Sequence, residues 1–335
     1  MAFCGTPQFA VPSLQHLLQQ PDFDVVGVFT QPDRPKGRGQ EISVSPVKQV
    51  ALTAKVAVHQ PEKVRAPEVE EQLRALAPDV VVIIAYGQII PARLLTIPKF
   101  GWINLHASLL PKYRGAAPIN WAIVRGETRT GNTTMRIDAG MDTGEILLQE
   151  ALDIGQDETA PELAAQLAEA GALLMAKTLR GLANDTLRGR AQDHAAATLA
   201  PILKREDGRI DWSLPAHEIY NRMRGLAPWP GAYTKFRGQI CHLWGKPVSK
   251  EKEQDGPRSV KDIIDRKSGD EPHLKLEEQA APGTLLPSGS GLRVVCGRGS
   301  VLELTSVKLE GRKQVSAAEF ARGARLRAGE FVGKA

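Results

Sequence analysis

The chain has 335 residues, enough for two domains of ordinary size with a core in each. Hydrophobic residues make up 42% of it and charged residues 24%, which is typical of a globular protein. No run of 18 or more apolar residues occurs, so the composition excludes a membrane-spanning helix. The formal net charge of +5 fits a polyanionic partner without establishing one.

The first half of the chain alternates short β-branched runs with helical stretches, the rhythm of a parallel sheet covered by helices. A helix is predicted over residues 9–18, where apolar residues recur at helical spacing. A second helix begins at Thr159, which forms a capping-box pattern with Glu162 and has Pro161 in its first turn. The predicted strands are 24–29, 79–85, 102–106 and 133–137. These elements predict a Rossmann-like α/β domain over residues 1–186.

The second half has a different pattern, and residues 187–204 are interpreted as the linker that leads to it. Beyond the linker, a helix over 216–224 precedes short strands separated by glycine and proline. The predicted strands are 232–236, 239–244, 291–295 and 301–307. This pattern predicts a small OB-like β-barrel domain over 205–335. A charged insertion around 247–282 is interpreted as a long solvated loop.

Cysteine and histidine are arranged in a way that disfavours a metal site. Cys4, Cys241 and Cys296 lie far apart with no CxxC spacing, and the seven histidines form no HExxH pattern. The N-terminus carries neither a basic signal region nor an arginine-rich leader, so we expect a cytoplasmic protein.

Polar side chains follow the predicted strand 102–106, at the edge where open α/β sheets place ligands. Asn104 and His106 are two residues apart and therefore project from the same face of the strand. An amide beside an imidazole can bind a developing oxyanion and manage one proton. A single histidine at a strand end is more often a structural residue, so this pattern alone leaves both interpretations open.

Asp142 lies in a glycine-rich turn, 138–144, that could present its carboxylate to a cleft. An ordinary turn closed by aspartate side chains has the same composition. Asp142 follows His106 by 36 residues, about one βα unit plus a strand, so both could reach the same sheet edge.

The loop 30–39 contains two prolines, two glycines and three cationic residues, Arg34, Lys36 and Arg38. Such a loop is exposed, bendable and positive, which suits contact with phosphate groups. The C-terminal end is also basic: the stretch from Arg298 to Lys334 contains eight lysines and arginines and only four glutamates. An exposed charged surface without a partner would have the same composition.

Taken together, these segments resemble the folate-dependent formyltransferases, and among them those that act on methionyl-tRNA. The resemblance runs nearly from end to end, and the combination NxH, SLLPxxRG and a later aspartate is more specific than any of its parts. The matching motifs are GTP (5–7), TQPDRPKGRG (30–39), SPVK (45–48), AYG (85–87), NLHASLLPKYRGAAPI (104–119), MDTG (141–144), IDW (210–212) and PWP (228–230).

The resemblance implies transfer of a formyl group from 10-formyltetrahydrofolate to the amino group of methionyl initiator tRNA. It implies that Asn104 and protonated His106 stabilise the oxyanion, and that Asp142 orients His106. It implies a reduced-folate site that uses backbone groups and no metal. The implied folate-binding residues are Ser108, Leu109, Leu110, Pro111, Ala85, Tyr86, Gly87 and Ile90.

The resemblance further implies that Arg34, Lys36 and Arg38 contact the tRNA acceptor stem and that the C-terminal barrel holds the stem through phosphates. We expect a monomer that binds no membrane. Two features depart from the family pattern: only four residues precede Gly5, and the stretch 247–282 is long. The first leaves open a missing start or an unusual sheet edge. The second is either an inert insertion or a further contact to RNA.

Three alternatives remain. A formyltransferase that acts on a sugar-nucleotide amine would share Asn104, His106 and Asp142, and only the basic loop and C-terminal domain favour tRNA over it. A folate-binding hydrolase would differ in using water in place of the amine. A non-catalytic RNA-binding module would need none of the three residues.

Overall fold

The computed structural model describes residues 1–36, 41–248, 280–288, 291–327 and 329–333. Over this part the chain divides into two compact units. The first unit contains Met1–Ala122 and Glu127–Ile202, and the second contains Ile123–Gly126 and Leu203–Ala335. Of the insertion around 247–282, residues 249–279 lie outside the described part.

The elements before residue 203 alternate between strand and helix. The strands are β1 (Ala2–Gly5), β2 (Gly27–Phe29), β3 (Arg34–Lys36), β4 (Glu41–Ser43), β5 (Val58–His59), β6 (Val81–Ile84), β7 (Trp102–His106), β8 (Arg129–Arg136) and β9 (Ile146–Asp153). The helices are α1 (Val11–Gln19), α2 (Pro46–Thr53), α3 (Pro67–Leu76), α4 (Ala92–Leu95), α5 (Pro118–Val124) and α6 (Ala160–Ala183).

Within the described residues, the first unit is built on a seven-stranded sheet of order β5-β2-β1-β6-β7-β8-β9. The first five of these strands are parallel, as the Rossmann-like pattern predicts. The last two, β8 and β9, are antiparallel to their neighbours. The connection from β8 to β9 is too short for the crossover that a parallel pair needs. The predicted α/β fold is confirmed, with an antiparallel edge beside β7.

The short first strand lies in the interior of the sheet, between β2 and β6, and not at its edge. All four residues of β1 are buried. A Cβ at Gly5 would stand 2.9 Å from the Cβ of Ala10, so the close approach of the following 3-10 turn requires glycine here. An unusual edge strand is therefore not what the structure has.

Helices α1 and α6 cover one face of this sheet. Leu14 and Leu17 of α1 and Met175 of α6 are fully buried against Val82 and Ile103 of the sheet. Burying a side chain of this size contributes about 1.5–3 kcal/mol to folding. The predicted helices 9–18 and from Thr159 onward are thereby confirmed, the first as a 3-10 turn that continues into α1.

The second unit contains an antiparallel sheet that curls into half a barrel. Its order in the described residues is β10-β11-β14-β13-β12, and β15 pairs with β14. The elements are α7 (Ala216–Gly225), β10 (Tyr233–Phe236), β11 (Gln239–Pro247), β12 (Leu285–Ser288), β13 (Gly291–Val295), β14 (Val301–Leu309), β15 (Val315–Ser316) and α8 (Ala317–Gly323). The four predicted strands and the predicted helix are confirmed, whereas β12, β15 and α8 were not predicted.

Alternation along β11 shows how this sheet forms its own core. Cys241 and Leu243 are buried, while the intervening His242 and the following Trp244 face outward. This period of two is what a sheet with one packed face and one solvated face requires.

Among the described residues, none of the helices combines the length and the apolar character that crossing a bilayer demands.

Candidate active site

His106 is the last residue of β7 and stands at the carboxyl end of the parallel strands. Its side chain is only 7% exposed. The Nε2–H group donates to the backbone oxygen of Tyr113 over 2.9 Å, because a carbonyl can only accept. The other ring nitrogen, Nδ1, faces Oδ2 of Asp142 at 3.7 Å. Both ring nitrogens thus face oxygen atoms of the protein.

Asp142 reaches His106 by a route that differs from the expected one. Because β8 is antiparallel to β7, Arg136 at its end pairs with Ile103, three residues before His106. The carboxyl end of β8 therefore lies away from His106, at the other end of β7. Asp142 and His106 do meet, as the sequence allowed, but the spacing of one βα unit plus a strand is not the reason. The loop 137–145 runs back and brings the carboxylate to the imidazole.

The Asp142 carboxylate is held in place by backbone as well as by histidine. Gly115 donates its N–H to Oδ2 over 2.8 Å, and the Asp142 backbone has a positive φ of 54°. An aspartate adopts this left-handed conformation more readily than most residues. The Gly115 contact and the turn conformation together fix the direction in which the carboxylate points.

Asn104 lies two residues before His106 on the same face of β7 and is half-buried. Its side chain has no hydrogen-bond partner among the described residues. The structure therefore leaves the Asn104 amide beside the His106–Asp142 pair with its donors available to a third group.

The segment after β7 is fixed by two polar side chains of the antiparallel edge. Thr133 donates its hydroxyl to the Ser108 oxygen (2.6 Å) and accepts the N–H of Leu110 (3.1 Å). Gln149 donates to the Leu110 oxygen over 2.8 Å. The Ser108 hydroxyl is fully buried and donates to the Lys112 oxygen over 2.7 Å. The backbone of Leu110 and the hydroxyl of Ser108 are thus already used within the protein.

Leu109 and Pro111 are the members of this segment that stay half-buried. Ser108 and Leu110 are buried and support the backbone. Of the predicted folate-binding set 108–111, the side chains accessible to a ligand are therefore those of Leu109 and Pro111.

The loop after β6 lies at the carboxyl end of the strand next to β7. Ala85 and Gly87 are exposed and have positive φ angles of 47° and 82°. Tyr86 and Ile90 instead pack into the core, where burial raises the pKa of the Tyr86 hydroxyl. Gln31 donates to the Tyr86 oxygen over 2.9 Å. The loop therefore presents backbone at Ala85 and Gly87, and its two large side chains anchor it.

Two of the predicted tRNA-binding cations, Arg34 and Lys36, lie on β3, which pairs with β4 as a hairpin. Arg34 is 70% exposed and pairs with Glu62 at 3.6 Å. Lys36 ends β3, and Arg38 lies outside the described residues. At the base of the hairpin, hydrogen bonding from Lys48 and then Gln60 holds the pKa of Asp33 below its ordinary value.

Three residues of the site were not singled out from the sequence. Tyr113 and Gly115 act through backbone groups, which no side-chain pattern reveals. Gln192 falls in the stretch interpreted as a linker, and its bonds reach Arg114, 78 residues away. The only sequence signal that could have pointed to these residues was the motif around Arg114 and Gly115.

Among the described residues, no cluster of three histidine, cysteine, aspartate or glutamate side chains is placed to bind a metal ion.

Comparison with known proteins assigns the chain to a family. Residues 1–179 match the formyl transferase family, and residues 202–325 match the C-terminal domain of formyl transferases. The methionyl-tRNA formyltransferase of Solibacter usitatus is 50% identical over 335 residues, covering 100% of this chain and 98% of the relative. That of Acidobacterium capsulatum is 48% identical, covering 96% of both chains.

A solved structure shares the fold at low identity. The N-formyltransferase from Helicobacter canadensis, in complex with folinic acid and dTDP-3-aminofucose, aligns with a TM-score of 0.61 at 17% identity. The alignment covers 90% of this chain and 97% of that chain. The two halves of the chain, its near-complete alignment with curated relatives and its fold agree: this protein is an enzyme of the formyl transferase family and belongs with the methionyl-tRNA formyltransferases.

Proposed function

We propose that this protein transfers the formyl group of 10-formyltetrahydrofolate to the amino group of methionyl initiator tRNA. The observation that carries the chemistry is the pair of buried His106 and half-buried Asp142, 3.7 Å apart, with the unpaired Asn104 amide on the same strand face as His106. The choice of tRNA rests on near-complete alignment at 50% identity with a methionyl-tRNA formyltransferase. Solved N-formyltransferase structures align at only 17% identity, which supports a shared fold and not a shared substrate.

In the proposed mechanism the substrate amine attacks the formyl carbon, and negative charge develops on the formyl oxygen. The free amide of Asn104 donates to this oxygen, and protonated His106 lowers the energy of the charge. Asp142 holds the imidazole and accepts the amine proton through water. The bond to the folate nitrogen then breaks, and that nitrogen receives the proton. Loss of one such oxyanion donor typically costs about 10²–10³ in rate.

The exposed backbone at Ala85 and Gly87 fits a flat ring that is read through hydrogen bonds, and half-buried Leu109 offers it an apolar surface. These three positions therefore support binding of a reduced folate. The side chains of Tyr86 and Ile90 support the loop from within the core and do not contact the ligand in this proposal.

RNA binding is proposed for the cations Arg34, Lys36 and Arg38 of the segment 30–39 and for one face of the C-terminal sheet. On that face Tyr233, His242 and Trp244 form a row, with ring centroids 6.0 Å and 6.5 Å apart. Lys308 is exposed directly opposite His242. Trp244 is exposed and the other two rings are half-buried. Accessible rings beside cations suit unpaired bases and phosphates.

Transfer of labelled formyl from 10-formyltetrahydrofolate tests the reaction. Wild type should formylate methionyl initiator tRNA, and elongator methionyl-tRNA much less. His106→Ala and Asp142→Asn should each lower the rate by about 10²–10³-fold and leave a measurable residual activity. Transfer to a sugar-nucleotide amine and to no aminoacyl-tRNA would replace the tRNA proposal with the sugar alternative. An unchanged rate in His106→Ala would contradict the catalytic assignment.

The aromatic row is tested by Trp244→Ala with Trp244→Phe as its matched control. The alanine variant should raise the KM for tRNA roughly fivefold to a hundredfold, the equivalent of about 1–3 kcal/mol for one stacked base. The phenylalanine variant, which keeps a ring, should not. The KM for the folate should stay constant in both. Equal KM values for tRNA in wild type and Trp244→Ala would remove this face from the proposal.

A further inference from the structure

Three consecutive residues connect the catalytic pair to a buried network. The Tyr113 oxygen accepts from His106, and the Gly115 N–H donates to Asp142. Between them, the Arg114 guanidinium donates to Oε1 of Gln192 from Nε (3.1 Å) and from Nη2 (2.7 Å). A single turn of chain thus contacts both catalytic side chains and Gln192.

Gln192 also hydrogen-bonds to the backbone of the turn that carries Asp142. Its Nε2 group donates to the backbone oxygens of Asp142 (2.9 Å) and Gly144 (2.7 Å). The orientation of the amide is determined by its partners, since a guanidinium can only donate and a carbonyl can only accept. One planar amide therefore ties Arg114 to both ends of the turn that carries the Asp142 carboxylate.

Because Arg114 and Gln192 are buried, breaking one of these hydrogen bonds would leave a polar group without a partner. Arg114 is 7% exposed and Gln192 is 6% exposed, so water does not replace a lost partner at low cost. Arg114 is itself anchored through its backbone, which pairs with the Thr198 oxygen and the Ala200 N–H. The turn 142–144 is consequently held to a fixed point of the first unit.

We propose that Gln192 is a positioning residue that sets the reach of Asp142 toward His106. The inference rests on the proposed function of that pair. Gln192 touches neither catalytic side chain; it acts on the backbone at Asp142 and Gly144. A shift of about 1 Å in such a group can cost about 10²-fold in rate.

Gln192→Glu separates the positioning role from a role in folding. The new carboxylate keeps the contact with Arg114, so the buried guanidinium retains a partner, but it presents an oxygen to two carbonyls in place of two donors. We expect kcat to fall roughly tenfold to a hundredfold with unchanged KM values for folate and tRNA. The control is Gln15→Glu, the same chemical change at an exposed position of α1, and it should retain wild-type kcat.

A double-mutant cycle with Asp142→Asn tests whether the effect of Gln192 on kcat depends on the Asp142 carboxylate. If it acts through Asp142, adding Gln192→Glu to Asp142→Asn should lower kcat little further. Full kcat in Gln192→Glu, or losses that multiply in the double variant, would overturn the inference. If thermal unfolding shows that Gln192→Glu does not fold, Gln192→Asn replaces it in the same cycle, because its shorter amide cannot span both contacts.

A crystal structure of the variant gives a readout that does not depend on the substrate. Asp142 Oδ2 and His106 Nδ1 are 3.7 Å apart here. The inference requires this separation to be longer in the variant than in wild-type crystals grown under the same conditions, and an unchanged separation would refute it. A wild-type enzyme that formylates no tRNA would instead refute the proposed function, whatever this distance does.

Discussion

At the residue scale, contacts from three different parts of the chain fix the position of the Asp142 carboxylate. It receives the Gly115 N–H, faces His106 and sits in a turn whose backbone carbonyls are bound by Gln192. A carboxylate fixed by a backbone donor beside an imidazole needs little reorganisation when charge develops beside it. The geometry of the candidate site therefore depends as much on backbone groups as on the candidate catalytic side chains.

Gly115→Ala should reduce both stability and activity. Gly115 has a φ of +119°, and a Cβ there would stand 2.6 Å from the Ala200 oxygen, so the backbone must move. The left-handed conformation alone costs a side-chain-bearing residue about 1–2 kcal/mol, and kcat should fall because the N–H to Asp142 shifts. Denaturant unfolding and the formyl-transfer assay measure the two effects.

The matched control for Gly115 is Gly101→Ala. Gly101 also has a positive φ, +76°, but its Cβ would meet only an ordinary contact at 3.7 Å. Its variant should show the conformational cost without the clash and without the loss of kcat. Equal losses of stability in both variants would mean that the close approach to Ala200 does not matter.

His59 should make stability depend on pH. Its ring stacks on Phe29 at 4.7 Å, its Nε2 is buried without a partner, and burial lowers its pKa. The unfolded chain binds a proton near pH 6.5, whereas folded His59 resists it. The free energy of unfolding should thus be maintained above pH 6.5 and decrease as the pH falls below it.

Denaturant unfolding at pH 7.5 and 5.5 measures this dependence. His59→Gln, which cannot be protonated, should lose less stability between the two pH values than wild type does. The same loss in both proteins would assign the pH dependence to other groups.

At the element scale, the antiparallel strands β8 and β9 matter most for the site. Thr133 and Gln149, which fix the segment after β7, both come from these strands, and the loop between them carries Asp142. The 3.6-residue and two-residue periodicities predicted the helices and strands because they record which face is buried. Strand direction leaves no such record, which is why the antiparallel edge was not predicted.

Ser45→Ala should weaken helix α2. Ser45 is the N-cap, and its hydroxyl oxygen accepts the N–H of Lys48 over 3.1 Å. Its loss should lower the free energy of unfolding by about 1 kcal/mol. Thr53→Ala, at the other end of the helix, is the control, because its hydroxyl bonds a carbonyl within the helix and alanine favours the helix. Chemical denaturation of both variants measures the difference, and a larger loss in Thr53→Ala would contradict the capping role.

At the scale of the whole molecule, the described residues form two units with separate hydrophobic cores. The three free cysteines are distributed between them: Cys4 is buried in the first unit, and Cys241 and Cys296 in the second. Burial raises the pKa of the Cys241 and Cys296 thiols to about 12 and that of Cys4 higher still. The thiolate, which is the reactive form, is therefore scarce in both units.

Titration with a chromogenic disulfide at pH 8 should accordingly detect almost no thiol in the native protein. Three thiols per chain should react once denaturant unfolds it. The Cys4→Ser variant, which should release two, distinguishes the first unit from the second. Rapid reaction of one thiol per native chain would show that a unit opens on the timescale of the reagent.

The sequence by itself determined the α/β and β pattern of the two halves, the membership of the family and the three catalytic candidates, since each depends on local periodicity or on a contiguous motif. Only the tertiary structure decided how Asp142 reaches His106, that Tyr86 and Ile90 pack into the core, and that Gln192 hydrogen-bonds to the turn that carries Asp142. The physical reason is that backbone donors and long-range hydrogen bonds, such as that between Arg114 and Gln192, leave no periodic signal along the chain.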